Sequence, residues 1–259
     1  MFRRQDRALV RIALVAGAVA LAVTAIPAYQ AQPLPTGRAV VDRFVEAIGG
    51  EAAFRGISSM RATGTFEMAA QGVTGTIEVI SSRPSSVRVK ADITGVGLIE
   101  RGYDGKVGWS MDPLAGPAIL TGRQLQELLD DARFDSQLHP AEMFKELTTV
   151  EQTTFDGQPA YKVKAVFTSG TEQFEYFAVD SGLLIGSEGS REMPGGGVVP
   201  RVSIMRDYKA FGPLKQPTRL VQQTLGLEQV LTITGYDYTA IPATAFAPPP
   251  EVQALIKGR

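Results

Sequence analysis

From Ile57 onward, apolar and polar residues alternate with a period of two. Met60, Ala62, Gly64, Phe66 and Met68 alternate with Arg61, Thr63, Thr65 and Glu67, and Val73, Gly75, Ile77 and Val79 follow opposite Thr74, Thr76 and Glu78. Val87, Val89, Ala91 and Ile93 continue the pattern. Strict alternation predicts antiparallel strands with one face on a core and the other in water. Leu98 to Tyr103 and Val107 to Met111 flank Asp104-Gly105, a dipeptide suited to a hairpin turn whose two central residues take positive φ. Five strands in succession with short connections form a meander. The period is helical in two places. Val40, Val41, Phe44, Val45 and Ile48 follow Thr36 as N-cap and stop at Gly49-Gly50, while Leu125, Leu128, Leu129 and Ala132 follow Thr121.

A break is expected at Asp112 to Pro117 and a short helical turn at Met143 to Leu147. Strands then resume at Thr149 to Phe155, Pro159 to Phe167, Gln173 to Val179, Leu183 to Ser187, Val202 to Tyr208, Thr218 to Thr224 and Glu228 to Tyr236. The Pro- and Ala-rich end closes with a helical turn over Glu251 to Ile256. No composition shift marks an internal boundary, so residues 32–259 read as a single domain. About 11–12 strands in one sheet must curl to avoid exposing a wide apolar face. The expected fold is α+β, a large curved antiparallel sheet with amphipathic helices in its concave face.

The first residues change the setting. Arg3, Arg4, Arg7 and Arg11 precede an apolar run from Ile12 to Ile26, with small residues at Ala28 and Ala31, the layout of a signal peptide over residues 1–31. An uncleaved anchor is the alternative, although the run falls short of the ~20 residues that span a membrane. Export to the periplasm is the expectation. Without cysteine there is neither an N-terminal lipid attachment nor a disulfide, so a core must supply stability. Removing the segment moves the net charge from −1 to about −4. An acidic protein is a poor partner for nucleic acid.

Several short strings, in this order and spacing, resemble the LolA-like superfamily of exported lipoprotein carriers and its outer-membrane lipoprotein-sorting relatives. They are Ala47-Ile48-Gly49-Gly50 followed by Ile57, Gly102-Tyr103-Asp104-Gly105 leading to Val107-Gly108-Trp109, Asp156-Gly157-Gln158-Pro159-Ala160-Tyr161, Asp207-Tyr208-Lys209 before Gly212 and Pro217, and Phe246-Ala247-Pro248-Pro249. The resemblance implies an unclosed β-barrel with helices plugging its mouth and a hydrophobic cavity for the acyl chains of a lipid or lipoprotein. The chain is longer than a simple carrier of that kind, and no cavity arginine is placed on it.

Catalytic chemistry has little footing. His139, the sole histidine, precedes Pro140 and reads as a surface or helix-end residue, and no zinc set or serine-nucleophile elbow is present. Glu67, Glu78 and Asp92 sit on the solvated strand phase, and Asp130-Asp131 lies opposite the leucine stripe. Pro194 to Val198 is a Gly-rich hairpin loop, or alternatively a gate or partner-contact loop. The chain therefore reads as non-enzymatic and free of cofactors. Phe66, Trp109, Tyr161, Phe167, Phe174 and Tyr176, with Met60, Met68 and Met111, are the candidates to line the hollow, methionine suiting a surface that adapts to varied chains. Leu125, Leu128 and Leu129 pack into it and give way to cargo. Expected partners are lipid or lipoprotein acyl chains, an envelope protein in the alternative reading of an interaction or sensor module, and a membrane in transient contact.

Overall fold

The computed structural model describes residues 33–192 and 197–258. Residues 1–31, where a signal peptide is expected, Gln32, the Met193–Gly196 part of the Gly-rich loop and Arg259 lie outside the described residues. The described residues from Leu34 to Gly258 form one compact unit.

Helix α1 (Gly37–Ala47) begins where Thr36 Oγ1 accepts the Ala39 N–H and buries Val40, Val41, Phe44 and Val45. Gly49, at φ 128°, passes so close to the Pro213 carbonyl that a Cβ there would lie 2.5 Å from its oxygen. A short helix α2 (Glu51–Arg55), not foreseen from the pattern, follows and buries Phe54. Its five residues offer too little periodicity to read.

The strands are β1 (Ser59–Met68), β2 (Val73–Ser82), β3 (Ser86–Ile93), β4 (Gly97–Tyr103), β5 (Gly108–Asp112), β6 (Gly116–Ile119), β7 (Phe144–Phe155), β8 (Gln158–Phe167), β9 (Glu172–Ala178), β10 (Leu184–Glu192), β11 (Val198–Phe211), β12 (Leu214–Thr224) and β13 (Leu227–Asp237). They form one antiparallel sheet in the order β6-β5-β4-β3-β2-β1-β13-β12-β11-β10-β9-β8-β7, with β6 and β7 as its free edges. The sheet is unclosed, and it has thirteen strands where about 11–12 were expected.

Two expectations are corrected. The break at Asp112 to Pro117 is a turn into β6: Asp112 Oδ1 accepts the N–H groups of Leu114 at 2.7 Å and Ala115 at 3.0 Å, and the edge position tolerates Pro117. The helical turn at Met143 to Leu147 is instead a 3-10 turn at Ala141–Met143 followed at once by β7. Register shifts at Phe144/Glu146 and Thr149/Glu151 break the alternation that would have marked the strand.

Helices α3 (Gly122–Ala132) and α4 (Pro250–Lys257) complete the fold. Helices α1 and α2 sit at the end of the sheet formed by the β2–β3, β9–β10 and β11–β12 turns. Arg43 donates to the Val179 and Asp180 carbonyls at 2.6 Å each, Lys215 N–H donates to the Ile48 carbonyl, and Arg83 donates to the Ile57 and Phe54 carbonyls. Arg83 also pairs with Asp135 and lies over the Phe134 ring, joining the 3-10 segment Phe134–Leu138 to the same plug.

His139 ends that segment at φ 48° and is buried, which corrects its reading as a surface residue. Its Nε2 lies 2.9 Å from Glu175 Oε2 on β9, and its Nδ1 donates to the Gln137 carbonyl. The ring stacks on Phe144 and meets Phe44 and Phe177 edge-on. The tertiary fold, bringing Glu175 from 36 residues away, supplies what the local sequence does not show.

Burial by itself drives the imidazole pKa down, but the charge and hydrogen bond of Glu175 and the Gln137 carbonyl outweigh it, against a small opposing effect of Arg38, and the net shift from 6.5 is upward. Burial likewise drives Glu175 up, yet His139 and the amide of Gln173 bring it below its usual 4.5. The raised histidine adds stability that is whole below 6.5 and is lost as pH rises through its folded value. The lowered glutamate adds stability that is whole above 4.5 and is lost as pH falls through its own. Raising the pH from about 6 to 8 should therefore weaken this contribution. In Glu175→Gln the buried imidazole has no carboxylate, burial dominates, and the trend over the same interval should reverse; urea unfolding of both proteins across pH checks the sign. His139→Gln, which strands a buried carboxylate, should cost about 3–5 kcal/mol at neutral pH.

Candidate functional site

Residues directly opposite each other in an antiparallel ladder share a face, so the register sorts the candidates. On β1, Met60, Ala62, Gly64, Phe66 and Met68 stand opposite Ser81, Val79, Ile77, Gly75 and Val73 of β2, on the inner face that carries the helices. Met60 and Tyr161 pack against the core beneath α1, with Val163, Phe177 and Leu214. Phe66 lies on the same face opposite Leu231, and Phe167 meets Phe144 at 4.8 Å. A second inner cluster, Ala62, Ile77, Leu231 and Ile233 with Val79, Val89, Leu220 and Tyr236, is built of strand residues alone.

Four candidates lie on the other face. Phe174 and Tyr176 are outward: Tyr176 stacks on Phe155 at 4.0 Å and clusters with Ala160, Ala178 and Ile185. Its hydroxyl donates to Glu188 at 2.6 Å, and Lys162 lies over the Phe174 ring. Burial, foremost, and the Glu188 carboxylate push the Tyr176 pKa up.

Trp109 and Met111 stand opposite Gly102 and Glu100, on the face of Arg88 rather than that of Val87. Gly102 makes room for the indole, since a Cβ there would lie 2.8 Å from Trp109 Cζ2. The C-terminal segment covers this outer patch. Its 3-10 turn (Ala243–Phe246) lies against β3, α4 lies against β5 and β6, and Arg88 ties Ala245 to Glu100. Trp109, Phe246 and Val252 are all buried. Arg88 and Glu100, in phase with Trp109, carry the signal that could have placed it, because a charge pair marks the phase that faces away from the hollow.

Helix α3 spans the hollow. Leu128 and Ala132 pack on Val87, Val79, Tyr103 and Leu120, and Leu125 fills the space left by Gly108, where a Cβ would lie 2.6 Å from Leu125 Cδ1. Leu129 is partly buried. Thr121 occupies the N-cap position without a side-chain cap bond. The other flank of α3 is held by polar contacts to the opposite arm: Arg123 donates to Ser190 at 2.9 Å, Glu192 N–H to Glu127 at 3.1 Å, and Ser169 to Asp130 at 3.0 Å. One helix thus touches β4 and β5 on one side and β10 on the other, which requires the sheet to curl around it.

The hollow offers little acid–base chemistry. Tyr208 and Tyr236 donate to the Leu184 and Pro217 carbonyls, and burial pushes both phenols up, so they stay neutral. No group of three metal-ligating side chains occurs among the described residues. A cavity of about 120 Å³ lies between α1 and the strands β8 and β9, lined by Val40, Arg43, Tyr161 and Phe177 among others. Ligand pockets run to about 300–1,000 Å³, so a long chain needs more space than this. Of the three hydrogen bonds on the polar flank of α3, those of Ser190 and Ser169 are exposed and that of Glu192 is part-buried. No helix among the described residues is long and apolar enough to cross a membrane.

No family model matches the sequence, and no curated protein matches it either. Solved structures do match. A LolA-superfamily protein from Nitrosomonas europaea aligns with TM-score 0.55 at 12% identity over 83% of this chain and 99% of its own. A DUF1329-family protein from Desulfovibrio piger aligns with TM-score 0.56 at 10% identity over 81% and 96%. A domain from Vibrio parahaemolyticus, described as an outer-membrane lipoprotein-sorting protein, aligns with TM-score 0.51 at 11% identity over 81% and 95%. At these identities the likeness is one of architecture, and on that basis the chain has the LolA-like fold, an unclosed antiparallel β-barrel with helices in its hollow.

Proposed function

We propose that this is an exported, non-enzymatic binding protein that carries or senses a lipid, or the acyl chains of a lipoprotein, between the inner sheet face and helix α3. The observation that carries the reading is the inner cluster of Ala62, Ile77, Leu231 and Ile233, an aliphatic surface on a concave sheet to which no helix contributes. Alkyl chains laid there would gain about 25 cal/mol per Å² buried. Of the residues proposed to meet them, Met60, Phe66, Met68 and Tyr161 share that face, and Leu125, Leu128 and Leu129 come from the helix. Trp109, Met111, Phe174 and Tyr176 play no part, since they face outward. Export and signal cleavage belong to the same proposal.

A second reading, an envelope interaction or sensor module without lipid cargo, is favoured by the small 120 Å³ cavity. The two readings part on one measurement. Organic extraction of the purified protein with mass spectrometry should release a lipid, and the delipidated protein should take up a fluorescent fatty acid. Absence of both, with a stable protein partner co-purifying, would establish the second reading.

The chain has no cysteine of its own, so a pair placed by Asp130→Cys and Ser169→Cys can be bridged with a short cleavable cross-linker to hold α3 to the β8–β9 turn. If uptake requires α3 to move, the bridged protein should bind the fatty acid at least about tenfold more weakly, because its competent fraction falls, and cleaving the bridge should restore binding.

A further inference from the structure

The two ends of the sheet differ in charge and in exposed apolar groups. At the end plugged by α1 and α2, the turns Arg83-Pro84-Ser85, Asp104 to Val107, Asp156-Gly157 and Val179 to Leu183 each contain a charged residue, whereas Gly212-Pro213 contains none. At the far end, the turns Ala69 to Gly72, Thr94 to Val96, Pro113 to Ala115, Thr168 to Thr171 and Leu225-Gly226 contain none. The same end collects the exposed aliphatic residues. Among the described residues, six of the nine large apolar side chains that stand in solvent are Val96, Leu98, Leu114, Leu225 and Leu227, in or beside three of these turns, and Val198 at the start of β11.

Two of them are held out by specific local structure. Leu114 is 85% exposed at the tip of the turn that Asp112 closes from within. Leu225 is 64% exposed and holds φ 53° beside Gly226 at φ 76°, a pair of positive angles that Asn-Gly or Asp-Gly adopts far more readily than a leucine does. A solvated hairpin has no packing reason to place leucine there. It gains a reason if the tip enters an apolar medium.

We propose that these uncharged hairpin tips dock on the surface of a lipid bilayer, the far-end turns entering the headgroup boundary. The inference rests on the lipid-binding reading only in naming the bilayer as the place where cargo is exchanged. The lack of charge in every described hairpin turn on one end, when four of the five on the other carry it, matches a medium in which a buried charge is costly. The aliphatic groups are spread along this end of the sheet, Leu114 after β5, Val96 and Leu98 at the β3–β4 turn, Leu225 and Leu227 at the β12–β13 turn and Val198 at the start of β11, a spread that suits a broad surface better than a peptide-binding groove. Charged side chains begin close behind the tips, at Asp92, Asp112, Glu172, Arg201 and Glu228, with Glu142 near Thr168 and Asp130 bonded to Ser169, so contact is shallow, of the ~5–10 Å depth at which interfacial segments lie.

The absence of native cysteine permits a direct test on the full chain. Leu114→Cys and Leu225→Cys, each labelled with a polarity-sensitive fluorophore, are compared with Leu255→Cys on α4 and Asp104→Cys at the plugged end. On adding vesicles of phosphatidylethanolamine and phosphatidylglycerol, the rim labels should shift to the blue, brighten at least about twofold and be quenched by nitroxides on the lipid acyl chains, while the other two labels stay unchanged. Because all four proteins share the same N-terminus, attachment through that segment alone leaves the rim labels silent. Silent rim labels, equal responses at Asp104, or a rim response that follows protein concentration instead of lipid would overturn the proposal. Rim labels that respond in a protein yielding no extractable lipid would support docking and count against cargo, so the two ideas fail separately.

Discussion

A thirteen-strand antiparallel ladder that does not close has two long faces and two free edges, and every other element of this molecule is placed by the need to cover what the ladder leaves open. The inner face receives α1, α2 and the Phe134–Leu138 segment at one end and α3 across the middle. The outer face receives the C-terminal segment over Trp109 on one arm, and on the other a self-contained patch in which Phe155 and Tyr176 stack beneath Lys162. Edge strand β6 is blunted by its length of four residues and by Pro117.

The helices are held with unequal strength. Val40, Val41, Phe44 and Val45 of α1 are buried, at roughly 1.5–3 kcal/mol apiece for full burial, and Arg43 and Ile48 add hydrogen bonds to two turns. Helix α3 is an amphipathic element of similar length with Leu128 and Ala132 as its buried anchors, and the bonds on its polar flank compete with water. The plug is thus the rigid part and α3 the part that can yield. The His139–Glu175 pair sits between them, at the junction where the chain leaving α3 turns into β7, and pins that junction to β9.

The same division gives the molecule a direction. One end is filled by α1 and α2 and edged mostly by charged turns; the hairpin tips of the other are uncharged, and several carry aliphatic side chains. The inner aliphatic cluster on β1, β2 and β13 lies between them. If the protein carries an amphiphile, as proposed, the aliphatic tips mark the end for its exchange, and the neutral Tyr208 and Tyr236 leave the wall of the hollow without ionised groups at their positions.

Much of this was legible in the residues. Period-two alternation located most strands, Thr36 and Gly49-Gly50 bounded α1, and Asp104-Gly105 and Asp156-Gly157 marked their hairpins, because these signals act over a few neighbouring residues. The inner placement of Met60, Phe66, Met68 and Tyr161 follows from the same phase. What local pattern could not supply is which phase faces in when both are apolar. Trp109 and Met111 read as hollow-lining until register put them opposite Gly102 and Glu100, and Phe174 and Tyr176 until Phe155 was found stacked outside. His139 read as a surface residue because its partner stands on a distant strand. The chain by itself determined the elements, their order and their amphipathic faces, since those depend on backbone propensity and side-chain period. Which face became the hollow, which helix is anchored by many buried side chains and which by few, and where the uncharged turns gather were decided only when the ladder curled, because those properties belong to pairs of residues that the sequence keeps apart.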